Sequence, residues 1–223
     1  MKKKFRHDYV DIGYDDMVAT TTDSGRTYHT PGGNYPSITT VLSILSEDAI
    51  RAWKERVGEE VASRVSYKAS SRGTKVHSIV EKYIRNHDTT DFLPHIRQSL
   101  ENLKPVLEDI GNVFGLEVPL YSDHLKVAGR CDCIAQYNGV PSIIDFKTSR
   151  YIKKKEKISH YFAQGAAYSI MWEERTGMVA PNIVIIMDVD HEKPVVFVEH
   201  RDNYTKLLKE TIDEYRTRKM FGH

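Results

Sequence analysis

The sequence predicts an α/β protein in which a mixed central β-sheet is flanked by helices, with a further helical part at the N-terminus. Two changes of hydrophobic pattern predict this class: helical spacing gives way to strand-like runs, and one helical stretch then separates two groups of strands. A third observation is the Asn138-Gly139 pair between two β-rich runs, which is the strongest short signal for a hairpin. A chain of 223 residues, 40% hydrophobic and 28% charged, is expected to form one domain.

The first half of the chain is predicted to be mostly helical. Residues 1–36 are dense in turn formers and predict short strands and loops. Residues 37–45 predict a short helix, and residues 47–70 predict a longer one. A clearer helix with an apolar stripe is expected over 73–86, and a further helical region over about 93–114.

The second half is predicted to consist mainly of strands. Three runs predict a meander, at 116–123, 125–137 and 140–149. A helix from about Ser159 to Thr176 follows, and Gly177 ends it. Two further strands, at 182–190 and 194–200, precede a final amphipathic helix that carries Tyr204, Leu207, Leu208, Ile212 and Tyr215. The domain divides into an N-terminal strand, loop and helical part, 1–72, and a core, 73–223.

Composition argues against a membrane protein, because no apolar run approaches the ~18 residues that a membrane span requires. The basic opening residues meet four aspartates by position 16, which fits neither a secretory signal nor a transit peptide, so we expect a cytoplasmic protein of a bacterial cell or a phage-infected host. The only two cysteines, Cys131 and Cys133, lie two apart in a predicted strand. We expect them on one face, as small buried residues in a reducing compartment. They are too few for a zinc site or an iron–sulfur cluster.

The hairpin turn predicts how the two strands beside it pair. If Tyr137 pairs with Val140, Asp132 falls directly opposite Asp145 on the same face of the sheet. Lys147 points to that face as well, because side chains alternate along a strand. Like charges that face each other across two strands destabilise a hairpin, so this pair of carboxylates needs an explanation.

Two explanations of the facing carboxylates remain open at this point. A divalent cation between Asp132 and Asp145 would remove their repulsion, and hard oxygen ligands suit magnesium or manganese rather than zinc. Alternatively, the pair is a solvated surface feature that Lys147 or Arg130 compensates. A bulge near Pro141 would also change the alignment.

These residues resemble the motif of the PD-(D/E)xK nuclease superfamily. Asp132 in "GRCDCIA" and the Asp145-Phe146-Lys147 run in "IIDFKTS" match the aspartate on one strand and the Asp/Glu-x-Lys on its neighbour. Members of this superfamily hold a metal over a scissile phosphate. The resemblance therefore implies a restriction-endonuclease-like core over 73–223, with a mixed central sheet flanked by helices.

Further matches narrow the resemblance to the RecB-like exonuclease branch. They are the helix "RGTKVHSIVEKY" with His77, the run "GLEVPLYSDHLKVAGRCD" with Glu117, and the helix "QGAAY" with Gln164 and Tyr168. The stretches "YPSITTVLSIL" and "RAWKERVGEEVA" are similar to mitochondrial genome maintenance exonucleases and phage-type relatives, which lack an iron–sulfur cluster.

The resemblance implies a magnesium-dependent deoxyribonuclease in which manganese can substitute for magnesium. Asp132, Asp145 and Lys147 would be catalytic. The metal ligands would be His77, Asp132, Asp145 and the main-chain carbonyl of Phe146, with Glu117 near the metal through a water. On spacing alone, His77 would be an ordinary helix residue, and Glu117 could equally be a surface strand residue.

Substrate contacts are expected from three groups of residues. Gln164 and Tyr168 lie one helical turn apart and would bind phosphate or sugar. Arg150, Lys153 and Lys154 belong to a basic segment that would follow the strand backbone, although such runs are often only solvated. Aromatic residues that could stack on bases, core positions by default, are Tyr28, Tyr35 and Trp53.

The function implied is a DNA exonuclease that acts from free ends, with single-stranded DNA as the favoured partner and a role in DNA repair, replication or recombination. An endonuclease of the same fold, restriction-type or junction-resolving, is the alternative enzyme. A non-catalytic nucleic-acid-binding subunit is the alternative outside catalysis. The acidic run 187–194 is interpreted as a solvated hairpin loop rather than a metal cluster.

Overall fold

The computed structural model describes residues 3–222 and contains a small and a large β-sheet, with helices packed on both faces of the large one. The small sheet is antiparallel and consists of β1 (Val18–Thr22), β2 (Gly25–Thr30) and β3 (Gly33–Pro36). Its strands confirm the short strands expected near the N-terminus. A short helix follows, α1 (Ile38–Leu42), and it continues into a 3₁₀ turn.

The two helices after this turn are divided at a different residue from the one that the sequence predicted. The break falls at Gly58, between α2 (Glu47–Val57) and α3 (Glu59–Ile84). Gly58 has φ +82°, which a residue without Cβ adopts readily, so the chain turns there. The expected boundary near 70–73 is wrong, because α3 runs through Gly73 without interruption.

The next helix, α4 (Pro94–Leu107), is shorter than predicted, since strand β4 (Ile110–Ser122) already begins at Ile110. The apolar residues after position 109 have a helical spacing in the sequence, but Ile110 pairs with Tyr137 and Val113 with Ala135 across the sheet. Pairing with a neighbouring strand decides their conformation against local preference.

The large sheet has five strands in the order β4-β5-β6-β7-β8. After β4 come β5 (Val127–Tyr137), β6 (Val140–Ser149), β7 (Asn182–Val189) and β8 (Val195–His200). Only β6 and β7 pair in parallel, and helix α5 (Ser159–Thr176) connects them. Gly177 caps α5 with φ +70°, as predicted, and α6 (Asp202–Met220) follows β8. The prediction of a mixed sheet flanked by helices is confirmed.

Two apolar clusters sandwich this sheet. One cluster contains α5 residues such as Phe162 and Trp172, and the other contains Ile79 of α3 and Leu103 of α4. Along β7 the side chains alternate regularly between the two clusters. Charged side chains are costly to bury in a sheet that is covered on both faces. The charged residues of β5 and β6 therefore indicate a candidate functional site.

The alternation is interrupted in β4 and β5 at the same level of the sheet. Leu116 and Cys133 pack on the α3 side, whereas Val118 and Cys131 pack on the α5 side. The interruption therefore falls at Glu117 in β4, which has φ +53°, and at its neighbour in β5. The expectation that both cysteines share one face is wrong for this reason, although both thiols are buried and free.

Among residues 3–222, none of the helices is both long and apolar enough to cross a membrane.

Candidate active site

A cleft of about 590 Å³ opens where α3, α5 and the N-terminal sheet meet the interrupted strands. Helix α3 contributes Gly73, His77 and Glu81 to its wall, and the large sheet contributes Glu117, Arg130 and Asp132. The opposite side is formed by Gln164 and Tyr168 of α5 with Arg26, Tyr28 and Ser37. Three carboxylates and an imidazole thus share one concave surface, a setting in which perturbed pKa values and cation binding are expected.

Three of these side chains form a group that fits a divalent cation. His77, Glu117 and Asp132 each offer one ligand atom, and these atoms all lie within 4.8 Å of one another. His77 Nδ1 is 3.4 Å from Asp132 Oδ2. One imidazole with two carboxylates is a donor set in which hard oxygens dominate, so it favours magnesium or manganese. The resemblance implies that Glu117 lies near the metal through a water, whereas the structure brings its carboxylate into the group itself.

The interrupted alternation brings Glu117 and Asp132 together. The pairs Leu116↔Cys133 and Val118↔Cys131 place these two residues opposite each other. A positive φ is uncommon for a residue with a Cβ, and such conformations concentrate at functional sites. Arg130 stabilises this conformation, because its Nη1 donates to the Glu117 carbonyl at 2.7 Å and its Nη2 pairs with Asp16.

The β5–β6 hairpin confirms the predicted register over its turn end. The pairs run without a shift from Tyr137↔Val140 to Cys133↔Ile144. The ladder then stops one step before Asp132 and Asp145, so these two residues are not a regular cross-strand pair. In a continued ladder Phe146 N–H would face the Cys131 carbonyl, but it donates instead to Asp132 Oδ2 at 2.9 Å.

Asp145 lies apart from the three-residue group in a buried ion pair with Lys147. Lys147 Nζ is 2.6 Å from both carboxylate oxygens, and its hydrogen bond goes to Oδ1. Gln164 Nε2 donates to the same oxygen at 3.4 Å. Asp145 Oδ2 is buried and, apart from the Lys147 ammonium at 2.6 Å, has no hydrogen-bond partner within the described part of the chain. Buried carboxylate oxygens are normally satisfied, and a bound cation would satisfy this one.

Burial and neighbouring charge set the protonation of the ion pair. Burial raises the pKa of Asp145, and the Lys147 ammonium opposes that shift. For Lys147, burial acts to lower the pKa, but the charges of Asp145 and Asp132 outweigh it and raise the pKa above its ordinary value. Lys147 is therefore an ammonium at neutral pH, a compact positive charge beside the cleft.

Glu117 is a much weaker acid than an ordinary glutamate. Burial raises its pKa to about 7, and the charges of Asp132 and Glu81 add to the shift, whereas His77 and Arg130 act against it. In the metal-free protein this carboxyl group is therefore half protonated near neutral pH. A cation bound beside it would displace that proton.

The predicted substrate residues divide into two sets. Gln164 and Tyr168 line the cleft, and both are buried. Arg150, Lys153 and Lys154 lie outside the lining of the cleft, on the segment after β6. The structure thus separates an inner pair of polar groups from an outer basic segment.

Two of the three aromatic residues proposed for stacking are buried. Tyr28 lines the cleft but is buried, and so is Tyr35, whose hydroxyl oxygen lies 2.8 Å from Asp123 Oδ1 and 2.7 Å from the Gly32 carbonyl oxygen. Trp53 is half-buried on α2.

Arg26 and Ser37 are cleft residues that the sequence did not single out. Both come from the N-terminal part, and Ser37 N–H bonds to the Arg26 carbonyl at 2.7 Å. No local pattern indicates them, because folding of the small sheet against α1 brings them to the cleft.

The interpretation of the acidic run 187–194 as a solvated loop is wrong for Asp188, which lies within β7. Asp188 is 2% exposed, and Arg72 Nη2 donates to it at 2.6 Å, while Arg72 Nη1 lies 2.8 Å from Asp190. The run binds an arginine of α3, and within residues 3–222 no potential metal-binding group includes it.

The mixed five-stranded sheet, with carboxylates and a lysine gathered on its middle strands, is consistent with a RecB-like nuclease fold. Curated relatives are the Mitochondrial genome maintenance exonuclease 1 of Mus musculus, 28% identical over 124 residues, and that of Xenopus tropicalis, 28% identical over 131 residues. The Homo sapiens protein is 26% identical over 125 residues. The matches cover 51%, 54% and 51% of this chain, but only 37%, 38% and 36% of the relatives.

The chain therefore matches a little over a third of the length of these relatives. No family model matches it. A crystal structure of a protein from Eubacterium rectale that is assigned as an exonuclease superposes with a TM-score of 0.46 at 17% identity. That superposition covers 66% of this chain and 65% of the other.

Proposed function

We propose that the protein is a nuclease that hydrolyses phosphodiester bonds of DNA with the help of a divalent cation, magnesium or manganese. The observation that carries the proposal is that the His77, Glu117 and Asp132 group lines the cleft and the buried Asp145–Lys147 pair lies beside it. The Phe146 N–H that binds Asp132 connects the two. Similarity to proteins named exonucleases supports the same reaction class.

His77, Glu117 and Asp132 would hold the cation, with Asp145 Oδ2 and the Phe146 carbonyl as further ligands. The cation would supply Lewis-acid stabilisation of phosphate oxygens and would lower the pKa of water. The chain's own residues provide the remaining chemistry. Lys147 remains an ammonium, so it can orient the attacking water and stabilise negative charge that develops on the phosphate.

Gln164 and Tyr168 would position the substrate strand. Their amide and hydroxyl groups lie 3.5 Å apart on the cleft wall opposite α3. Neutral donors of this kind suit phosphate and sugar oxygens, which fix a strand without reading its sequence. Arg150 and Lys154 would follow the strand further out, by charge.

We extend the proposal to exonuclease action at free ends of single-stranded DNA, with no iron–sulfur cluster or zinc. The names of the curated relatives support the exonuclease part. The two free thiols support a reducing compartment such as the cytoplasm.

The reaction class is tested with labelled DNA in the presence of magnesium. We expect Asp145→Ala and Lys147→Ala each to abolish degradation while the far-ultraviolet circular dichroism spectrum remains that of the wild type. Lys206→Ala on α6 is the matched control, because Lys206 is 86% exposed and does not line the cleft. A wild-type rate for Asp145→Ala or for Lys147→Ala would show that the site is misassigned.

The end requirement is tested with matched substrates. Linear single-stranded and double-stranded DNA, the same strands with both ends blocked, and circular single-stranded DNA are incubated with the wild-type protein. We expect only free-ended single strands to be degraded. Cleavage of the circle would establish the endonuclease alternative, and binding of DNA without any cleavage would establish the non-catalytic one.

A further inference from the structure

Two adjacent apolar side chains project into solvent immediately after the strand that carries Asp145 and Lys147. Tyr151 is 75% exposed and Ile152 is 59% exposed, although both belong to residue types that usually pack. Single exposed apolar residues are ordinary, but an aromatic and a β-branched residue side by side form a patch that invites an occupant. We call Tyr151 and Ile152 the apolar tip.

Hydrogen bonds hold the backbone of Tyr151, the first residue of the apolar tip, against Ser149. Ser149 Oγ donates to the Tyr151 carbonyl at 2.7 Å and accepts from Tyr151 N–H at 3.4 Å. The Ser149 carbonyl in turn accepts from Asp190 N–H at 3.0 Å and from Arg72 at 3.5 Å. Because this backbone is already ordered, binding of a ligand to the exposed Tyr151 ring would cost less conformational entropy.

The apolar tip lies next to the proposed active site. Lys147 Nζ and Lys153 Nζ are 5.1 Å and 5.2 Å from the centre of the same Tyr161 ring. A single ring thus separates the ion-pair lysine from a residue adjoining the tip. Thr148, which precedes Ser149 in β6, also lies close to the cleft. Its Oγ1 would be 3.7 Å from a Cβ atom placed on Gly73, a residue that lines the cleft.

Positive charge surrounds the apolar tip. Arg150 precedes it and Lys154 follows Lys153, and both Arg150 and Lys154 are exposed. Neither forms an ion pair with any of residues 3–222, whereas Lys155 pairs with Glu199. Uncompensated cations beside an aromatic ring are complementary to a chain that carries phosphates on one side and flat apolar rings on the other.

We propose that Tyr151 stacks on an unpaired base of the substrate strand, with Ile152 against the same base, while Arg150 and Lys154 bind the flanking phosphates. The proposal rests on the proposed nuclease function and names a base-binding subsite for it. Stacking of one base on an aromatic side chain contributes about 1–3 kcal/mol, so its loss corresponds to about 5- to 150-fold in affinity.

The test measures binding of fluorescein-labelled single-stranded oligonucleotides by anisotropy, in EDTA so that the probe is not degraded. We expect Tyr151→Ala to weaken binding about 5- to 150-fold and Tyr151→Phe to bind nearly as the wild type, because the ring is retained. Phe221→Ala is the matched control, since Phe221 is 73% exposed at the end of α6. That control should bind as the wild type.

Oligonucleotides with one abasic site, moved along the strand, identify the stacked base. At one position, removal of the base should weaken wild-type binding but leave the affinity of Tyr151→Ala unchanged, which is the signature of a shared contact. Equal losses for both proteins at every position would overturn stacking.

The remaining outcomes distinguish failure of the base-binding subsite from failure of the proposed nuclease function. Nucleic acid that is bound and degraded equally well by wild type and Tyr151→Ala would overturn the subsite and leave the nuclease function standing. Concentration-dependent self-association lost in Tyr151→Ala, with unchanged DNA affinity, would assign the apolar tip to a contact between copies. A wild-type protein that neither binds nor degrades nucleic acid would overturn the proposed function and this subsite with it.

Discussion

The two ends of the β5–β6 hairpin differ in how their strands are held together. At the turn end, the pairs from Tyr137↔Val140 to Cys133↔Ile144 follow the regular ladder, and an Asn-Gly turn sets them. At the open end the ladder stops, the Asp132 side chain accepts a hydrogen bond from the backbone of β6, and an ion pair is buried. The comparison indicates that the turn end maintains the register and the open end gives up regular pairing to gather charge.

The forces at the two ends also differ in range. Residues adjacent in the chain determine the turn end. The open end depends on distant residues, because Arg72 of α3 binds Asp188 of β7 and Asp190 just after it, and also contacts the Ser149 carbonyl at the end of β6. A change at either end should therefore affect a different property of the protein.

The largest expected effect is on the chemistry of the open end. Asp132→Asn keeps an oxygen that can accept the Phe146 N–H but removes a negative charge from the cation group. We expect the initial rate of magnesium-dependent DNA degradation to fall at least about 1,000-fold, with the melting temperature at or above that of the wild type. A rate within tenfold of the wild type would contradict the assignment of the open end to catalysis.

Removal of the Arg72 side chain, which connects α3 to β6 and β7, should reduce the stability of the open end. Arg72→Leu leaves Asp188 buried without its cationic partner, so we expect the free energy of unfolding in urea to fall by about 3 kcal/mol. The double variant with Asp188→Asn, which removes the unpaired charge, should recover part of the loss. An unchanged urea midpoint for Arg72→Leu would mean that the Arg72 contacts do not stabilise the open end.

A change at the turn end should lower stability without altering the chemistry. Gly139 has φ +80°, so Gly139→Ala should lower the free energy of unfolding by about 1–2 kcal/mol. Degradation at temperatures well below melting should proceed at the wild-type rate. Asn138→Gly is the control, because glycine accepts the φ of +48° at that position. A lower rate for folded Gly139→Ala would show that the two ends are coupled.

The smallest effect is a gain in stability at the site itself. The folded-state pKa of Glu117, about 7, lies above its ordinary value near 4.5, so the folded protein holds a proton there that the unfolded chain has lost. Stability therefore decreases as the pH rises from 4.5 to 7. In EDTA, we expect Glu117→Gln to match the wild type below pH 4.5 and to exceed it by about 1 kcal/mol at pH 8, a figure discounted for partial exposure.

Urea unfolding at several pH values measures this difference. Addition of magnesium at pH 8 should then stabilise the wild type more than Glu117→Gln, because the variant has lost a ligand. A Glu117→Gln protein less stable than the wild type at pH 8 in EDTA would contradict the destabilising role of this carboxylate.

The features that sequence predicted well are those with a local cause. The Asn138-Gly139 turn, the register beside it and the end of α5 at Gly177 all follow from backbone conformations that a few neighbouring residues impose. The motif containing Asp145 and Lys147 was visible because an otherwise apolar strand carried charge.

The features that sequence did not predict depend on contacts between distant segments. The interrupted alternation at Glu117 and Asp132 needs a positive φ at a glutamate, which no propensity favours, and a matching change in the neighbouring strand. The break at Gly58 rather than near Gly73 shows that a glycine ends a helix only where the fold requires a turn. Arg26 reaches the cleft through the small sheet.

Cys131 and Cys133 pack on opposite faces of the large sheet, which makes them natural probes of two separate layers. They are the only thiols in the chain, and both are fully buried. Each can react with a thiol reagent only when its own layer opens, so the two labelling rates report the opening free energies of the α3–α4 and α5–α6 layers separately. Replacement of each cysteine in turn by serine would assign the two labelling rates. The two cysteines, separated by one residue, would thus show whether the two halves of the core open together.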